Sequence, residues 1–173
     1  MRNLAFLVAI LLFSLAPNPA RAQESAGTSD LTPNTRGAYV SISGAIDAYE
    51  MRAGELAGEK SRGEDIKALG GQLAAEHRAN SDRTRAAARS LGMDAPEPAM
   101  MPMHWDMMRR LERASASRFD RLFLRQQLRV HEMAVALHRN YAANGDVPSL
   151  REVAASVLPG VEQHLAQIRA LAE

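Results

Sequence analysis

The chain has 173 residues, with 21 basic and 20 acidic side chains, 46% hydrophobic residues and no cysteine. The missing thiols exclude disulfides, thiolate metal sites, a cysteine nucleophile and an anchor through a lipidated cysteine. A charge near zero argues against nucleic acid or an anionic membrane as partner, and the length suits one ordinary domain with a sizeable core.

In chain order, Met1-Arg2-Asn3 leads into the apolar run Leu4 to Leu15, then Pro17, Pro19 and Ala20-Arg21-Ala22. This pattern predicts a secretory signal peptide over residues 1–22, cleaved before Gln23, and hence a periplasmic or secreted protein without a membrane anchor. An uncleaved anchor is the rival reading, but the run falls short of the roughly 20 residues needed to cross a bilayer. Residues 23–35 are rich in Ser, Thr, Gly and Asp without periodicity and read as a flexible leader.

The remaining segment, 36–173, carries four amphipathic patterns. The first, about 36–60, repeats Ile42, Ile46, Tyr49, Ala53, Leu56 and Ala57 at three- and four-residue spacing, with Glu50 inside the apolar stripe. Ser61-Arg62-Gly63 breaks it, as suits a helix end. The second, about 64–91, carries Ile66, Leu69, Leu73 and His77 on one face and stops at Gly92. Gly44, Gly54, Gly58, Gly70 and Gly71 each cost about 1 kcal/mol in a helix relative to Ala, so close contact between these two helices is expected to compensate.

Residues 93–103 hold Pro96, Pro98 and Pro102 and form a Pro/Met-rich crossing between two helical hairpins. The third helix starts at His104 at the earliest, more securely at Ser117, and reaches about residue 143. On it Asp120, His131 and His138 fall on one line. After the turn Asn144-Gly145-Asp146, the last helix, about 149–172, starts with Ser149 as cap and carries Val157, Val161, His164, Ile168 and Leu171 as its seam. A kink or short break is expected at Pro159-Gly160.

Glu50, His77, His131 and His164 thus occupy core positions on four helices. Placing both tight turns at one end of an up-and-down bundle puts the four within a slab of about 9 Å. By the same rise Asp120 lies about 16 Å from this layer and His138 about 10 Å, in a second, shallower position. Three imidazoles and a carboxylate suit Zn, Fe, Mn or Cu without selecting among them. The competing reading is a metal-free polar layer that fixes helix register. A weaker candidate is the run Met100, Met101, Met103 and His104, whose thioethers suit Cu(I) but would equally fill irregular space under the crossing.

Glu50 within Ala45 to Lys60, the Glu76-His77 pair, Phe119-Asp120, His131, and Leu158-Pro159 followed by His164 resemble the bacterial secreted family called domain of unknown function 4142, over about Arg36 to Leu171. The resemblance implies a ferritin-like four-helix bundle and assigns no activity. Two small departures are Glu76, where the family commonly has Asp, and Phe123 as the aromatic after the Phe-Asp pair. A larger one concerns the wider ferritin-like group, whose di-iron members carry Glu-x-x-His on two helices. This chain has no such pair, so a conventional di-iron oxidase or iron-storage centre is not expected. Nor is there a phosphate-binding Gly loop or a Gly-x-Ser-x-Gly elbow, so no catalytic residue is assigned. Two functions stand: an exported protein binding a transition metal in its core, or a metal-free periplasmic structural, interaction or envelope-stress protein. No protein partner is named by the sequence.

Overall fold

The computed structural model describes residues 34–173; the expected signal peptide and nearly all of the expected leader lie outside them. The helices are α1 (Arg36–Lys60), α2 (Glu64–Ser90), α3 (Pro102–Arg113), α4 (Ala116–Asn144) and α5 (Pro148–Ala172). Four long helices make the expected all-helical bundle, and α3 lies outside it against α1 and α4.

Local chemistry sets these boundaries. At the end of α2, Gly92 takes φ +72, its N–H donates to Arg89 O at 2.9 Å, and the N–H of Met93 donates to Ala88 O at 3.1 Å. This pair of bonds satisfies the last carbonyls and needs a left-handed residue, which glycine supplies without a Cβ clash. Pro102 and Pro148 open α3 and α5, where a missing N–H costs nothing and the fixed φ favours the helix. The short helix therefore begins just before His104, and Val147, not Ser149, occupies the cap of α5. Of the kink or short break expected at Pro159-Gly160, there is no break: Pro159 lies inside α5, which is continuous across it. Val157, Val161, His164, Leu165 and Ile168, all buried, hold both sides of the proline against the core.

The tight turns do not share an end. Asn34, before α1, accepts a bond at its carbonyl from Asp146 N at 2.9 Å, and Tyr39 stacks on Tyr141 at 4.0 Å. The start of α1 therefore sits at the α4–α5 turn. At the opposite end Lys60 donates to Leu111 O at 3.3 Å, and the α1–α2 turn at Gly63 lies beside Asp120. Thus α2 and α4 run parallel, and residues 91–115, including α3, carry the chain back along the bundle, the single long crossover of ferritin-like folds. The sequence estimate of a common height survives because all four core polar residues lie near mid-helix, where reversing a hairpin changes little.

Tyr39, Tyr49, Phe119, Phe123, Leu73, Leu137, Leu150 and Ile168 form the bulk of the core, all fully buried. Such burial contributes about 1.5–3 kcal/mol per large apolar side chain. Tyr49 keeps its hydroxyl satisfied by donating to Gln126 Oε1 at 2.8 Å, and the Gln126 amide donates to Met107 O at 3.2 Å, which ties α3 to α4.

The glycines within α1 and α2 differ in their surroundings. A Cβ on Gly54 would lie 2.3 Å from Gly70 O, and one on Gly70 would lie 2.7 Å from Gly54 O, so these two let α1 and α2 touch through their backbones. Gly44 is intermediate, with a Cβ 3.1 Å from Pro98 Cβ. Gly58 and Gly71 face open space. Replacing Gly58 or Gly71 by Ala should therefore stabilise the protein by about 0.5–1 kcal/mol each, as read by the denaturation midpoint; no gain would place a contact at those positions.

Candidate metal centre

At mid-height α2, α4 and α5 present His77, His131 and His164 to one another. Their ring centroids form a nearly equilateral triangle, with His77–His131 5.5 Å, His77–His164 5.7 Å and His131–His164 5.5 Å. One donor atom from each lies within 4.8 Å of the others. All three rings are buried. The residues follow the helical period of the core, so the same packing that buries the aliphatics brings the imidazoles inward.

Each ring has one nitrogen engaged and one without a partner. The Nδ1–H of His131 donates to the carbonyl of Gln127 at 3.0 Å, which fixes the tautomer and leaves the Nε2 lone pair free. His77 Nδ1 shares a hydrogen bond with Asp47 Oδ1 at 2.8 Å, leaving Nε2. His164 Nε2 shares one with Glu76 Oε2 at 2.9 Å, leaving Nδ1. A buried nitrogen without a partner costs stability unless something outside the protein fills the space. Metal-binding histidines are held in this way, with the far nitrogen on a carboxylate or backbone carbonyl.

The electrostatics favour neutral rings. Burial holds His77 at about 3, with His164 adding to the effect. His131 is pushed well below the usual imidazole range, first by burial and then by His77 and His164. Burial also lowers His164, while Glu76 opposes the shift. The carboxyls respond in the opposite direction, and burial raises both Asp47 and Glu50 far above the ordinary carboxylate range.

Glu50 is fully buried, and Oε1 lies 3.8 Å from His131 Nδ1, the nitrogen already donating to Gln127. The Gln127 side chain lies against the Glu50 carboxyl and partly offsets the effect of burial. Glu50 thus borders the triad rather than forming part of the three-residue donor cluster. Sequence reading missed two groups. Asp47 sits one turn before Glu50 on the same buried face, a three-residue spacing that marks it as inward. The other is the Glu76 carboxylate, which is adjacent in sequence to His77 but bonds to His164 on the neighbouring helix. By contrast, Glu132 and Glu162 face outward, to Arg169 and Arg139.

The weaker candidates lie elsewhere. Asp120 is at the α1–α2 turn, its Oδ2 3.7 Å from where a Gly63 Cβ would be. His138 pairs through Nδ1 with the Tyr39 hydroxyl at 3.1 Å, and burial holds it at about 3. The methionine run divides: Met107 and Met108 enter the core, Met100 packs partly against it, and Met101 and Met103 line a groove of about 340 Å³ with Met133. His104 turns inward, stacks on Tyr49 at 5.4 Å and reaches the backbone of Ala45.

A family model described as "Domain of unknown function (DUF4142)" matches residues 20–171. No curated protein sequence matches the chain. Among solved structures, "CopM in the Cu(II)-bound form" is similar at TM-score 0.68 and 18% identity, over 80% of this chain and 95% of that one. A DUF305 fragment from Deinococcus radiodurans is similar at TM-score 0.68 and 19% identity, over 82% and 96%. At these identities the likeness concerns the fold.

Proposed function

The chain belongs to the DUF4142 family, a domain of unknown function, and we propose that it is an exported protein binding one transition-metal ion through His77, His131 and His164. The observation that carries this reading is the set of three buried ring nitrogens, His77 Nε2, His131 Nε2 and His164 Nδ1, left without partners while Asp47, Gln127 and Glu76 hold the other three. Three imidazoles suit Zn, Cu and Fe, and a bound ion would act there as a Lewis acid or redox centre. The copper-bound state of a protein with a similar fold makes Cu(II) the first ion to try. Asp47 and Glu76 orient their histidines, and buried Glu50 would offset positive charge beside the site.

Metal content of protein purified from the periplasm, together with the melting temperature on adding Cu, Zn, Fe or Mn, tests the proposal. Wild type should carry close to one ion per chain and gain about 2.7 kcal/mol of stability at a free-metal concentration one hundredfold above Kd. The reading fails if its metal content equals that of a His77→Ala/His164→Ala variant and no ion raises the melting temperature.

The raised carboxyls give the pH dependence. Protons held by Asp47 and Glu50 in the metal-free protein must leave when a cation arrives, so binding releases protons and strengthens as pH rises toward the raised pKa values. Each released proton should change affinity by up to about tenfold per pH unit. His77, held at about 3 by burial, adds little competition above pH 5, because it is already neutral there. Calorimetric titrations in two buffers of different ionisation enthalpy should give different heats; equal heats would show that no proton is released.

A further inference from the structure

The near-neutral total charge conceals a concentrated basic face. Residues 105–129 contain seven arginines against three acidic residues, in a chain with a formal net charge of +1. Arg109 pairs with Asp106, whereas Arg110, Arg113, Arg118, Arg121, Arg125 and Arg129 are exposed and form no ion pair among the described residues. Arg118, Arg121, Arg125 and Arg129 recur at three- and four-residue steps, which places them on one flank of α4 over about 16 Å.

That flank is continuous with α3. The Gln126–Met107 bond fixes α3 beside it, and Arg129 borders the groove lined by Met101, Met103 and Met133. The outer side of α3 then adds Arg110, Arg113 and Trp105, a large apolar side chain 51% exposed. Guanidinium groups present planar forks that match phosphate oxygens. Tryptophan with an exposed apolar body and a polar N–H favours the headgroup level of a bilayer.

We propose that the face formed by α3 and the first half of α4 docks peripherally on an anionic phospholipid surface. The arginines would meet headgroup phosphates, and Trp105 and the methionine groove would meet the apolar margin beneath. A nucleic acid would satisfy the arginines but leave the apolar groove and the tryptophan without a counterpart. No described helix is long and apolar enough to cross a membrane. This inference is independent of the metal reading.

Trp105 is the only tryptophan in the chain, so tryptophan emission, excited selectively over the three tyrosines, reports on this face alone. With residues 23–173, vesicles containing phosphatidylglycerol should blue-shift the emission and cosediment the protein, while pure phosphatidylcholine vesicles should do neither. Raising the salt should reverse the effect. Reversing charge with Arg118→Glu, Arg121→Glu and Arg125→Glu should weaken cosedimentation at least about tenfold while leaving the melting temperature close to wild type. Equal binding to both vesicle types, or undiminished binding by the charge-reversed variant, would overturn the proposal. So would tighter binding to duplex DNA or inorganic phosphate than to the anionic vesicles.

Discussion

Replacing His131 with Leu should abolish metal-dependent stabilisation and leave the metal-free protein as stable as wild type or more stable. The Nδ1–H of His131 donates to a carbonyl one turn back in its own helix, so its loss leaves no side-chain group stranded, and its Nε2 has no partner at all. Leu fills a comparable volume at this fully buried position without an unsatisfied nitrogen, which should add about 1 kcal/mol to the metal-free form. Metal affinity should fall by at least about 100-fold, since a ligand is gone and the remaining two imidazoles form an incomplete set. A metal-free polar layer predicts the reverse sign, with register lost and stability reduced. Chemical denaturation with and without metal separates the cases: a variant destabilised in the absence of metal would favour the structural layer. His77→Leu is a poorer probe, because it would strand buried Asp47.

The second large effect concerns the contact between α1 and α2. Gly54→Ala should destabilise the protein by about 2–3 kcal/mol, with or without metal, because the new Cβ would meet a backbone carbonyl that cannot rotate away. Gly70→Ala should behave similarly. Separating these helices also moves Asp47 relative to His77, so metal affinity should drop as well, although neither glycine touches the site. Guanidinium denaturation measures the loss; a change of under about 0.5 kcal/mol would show that the backbones are not in contact.

The helices and the inward histidines were legible because both follow from the 3.6-residue period, which the core enforces along every long helix. His77, His131 and His164 share a face with Leu73, Ala134 and Val161, so burial alone brings them inside. The partners of their second nitrogens were less legible. Which carboxylate reaches which imidazole depends on the lateral arrangement of neighbouring helices, and no single-helix pattern encodes that. Glu76 shows the limit, because it is adjacent to one histidine and bonded to another. The direction of the hairpins is not encoded for a related reason. A Pro-rich segment reads as a crossing, but its length alone does not say whether it hops between adjacent ends or returns along the whole bundle. The short helix α3, amphipathic yet outside the bundle, is what allows the full return.

The long crossover divides the protein into two locally folding halves. Helices α1 and α2 close through a three-residue turn, as do α4 and α5, so each hairpin can assemble from contacts near in sequence. His77 and its Asp47 belong to the first half, His131 and His164 to the second. A metal ion bound by all three histidines would therefore act as a non-covalent staple across the seam, joining what the chain connects only once. Chelation would then report on docking rather than on helix formation, and a cell that withheld the metal would hold two formed hairpins with a loosened joint between them.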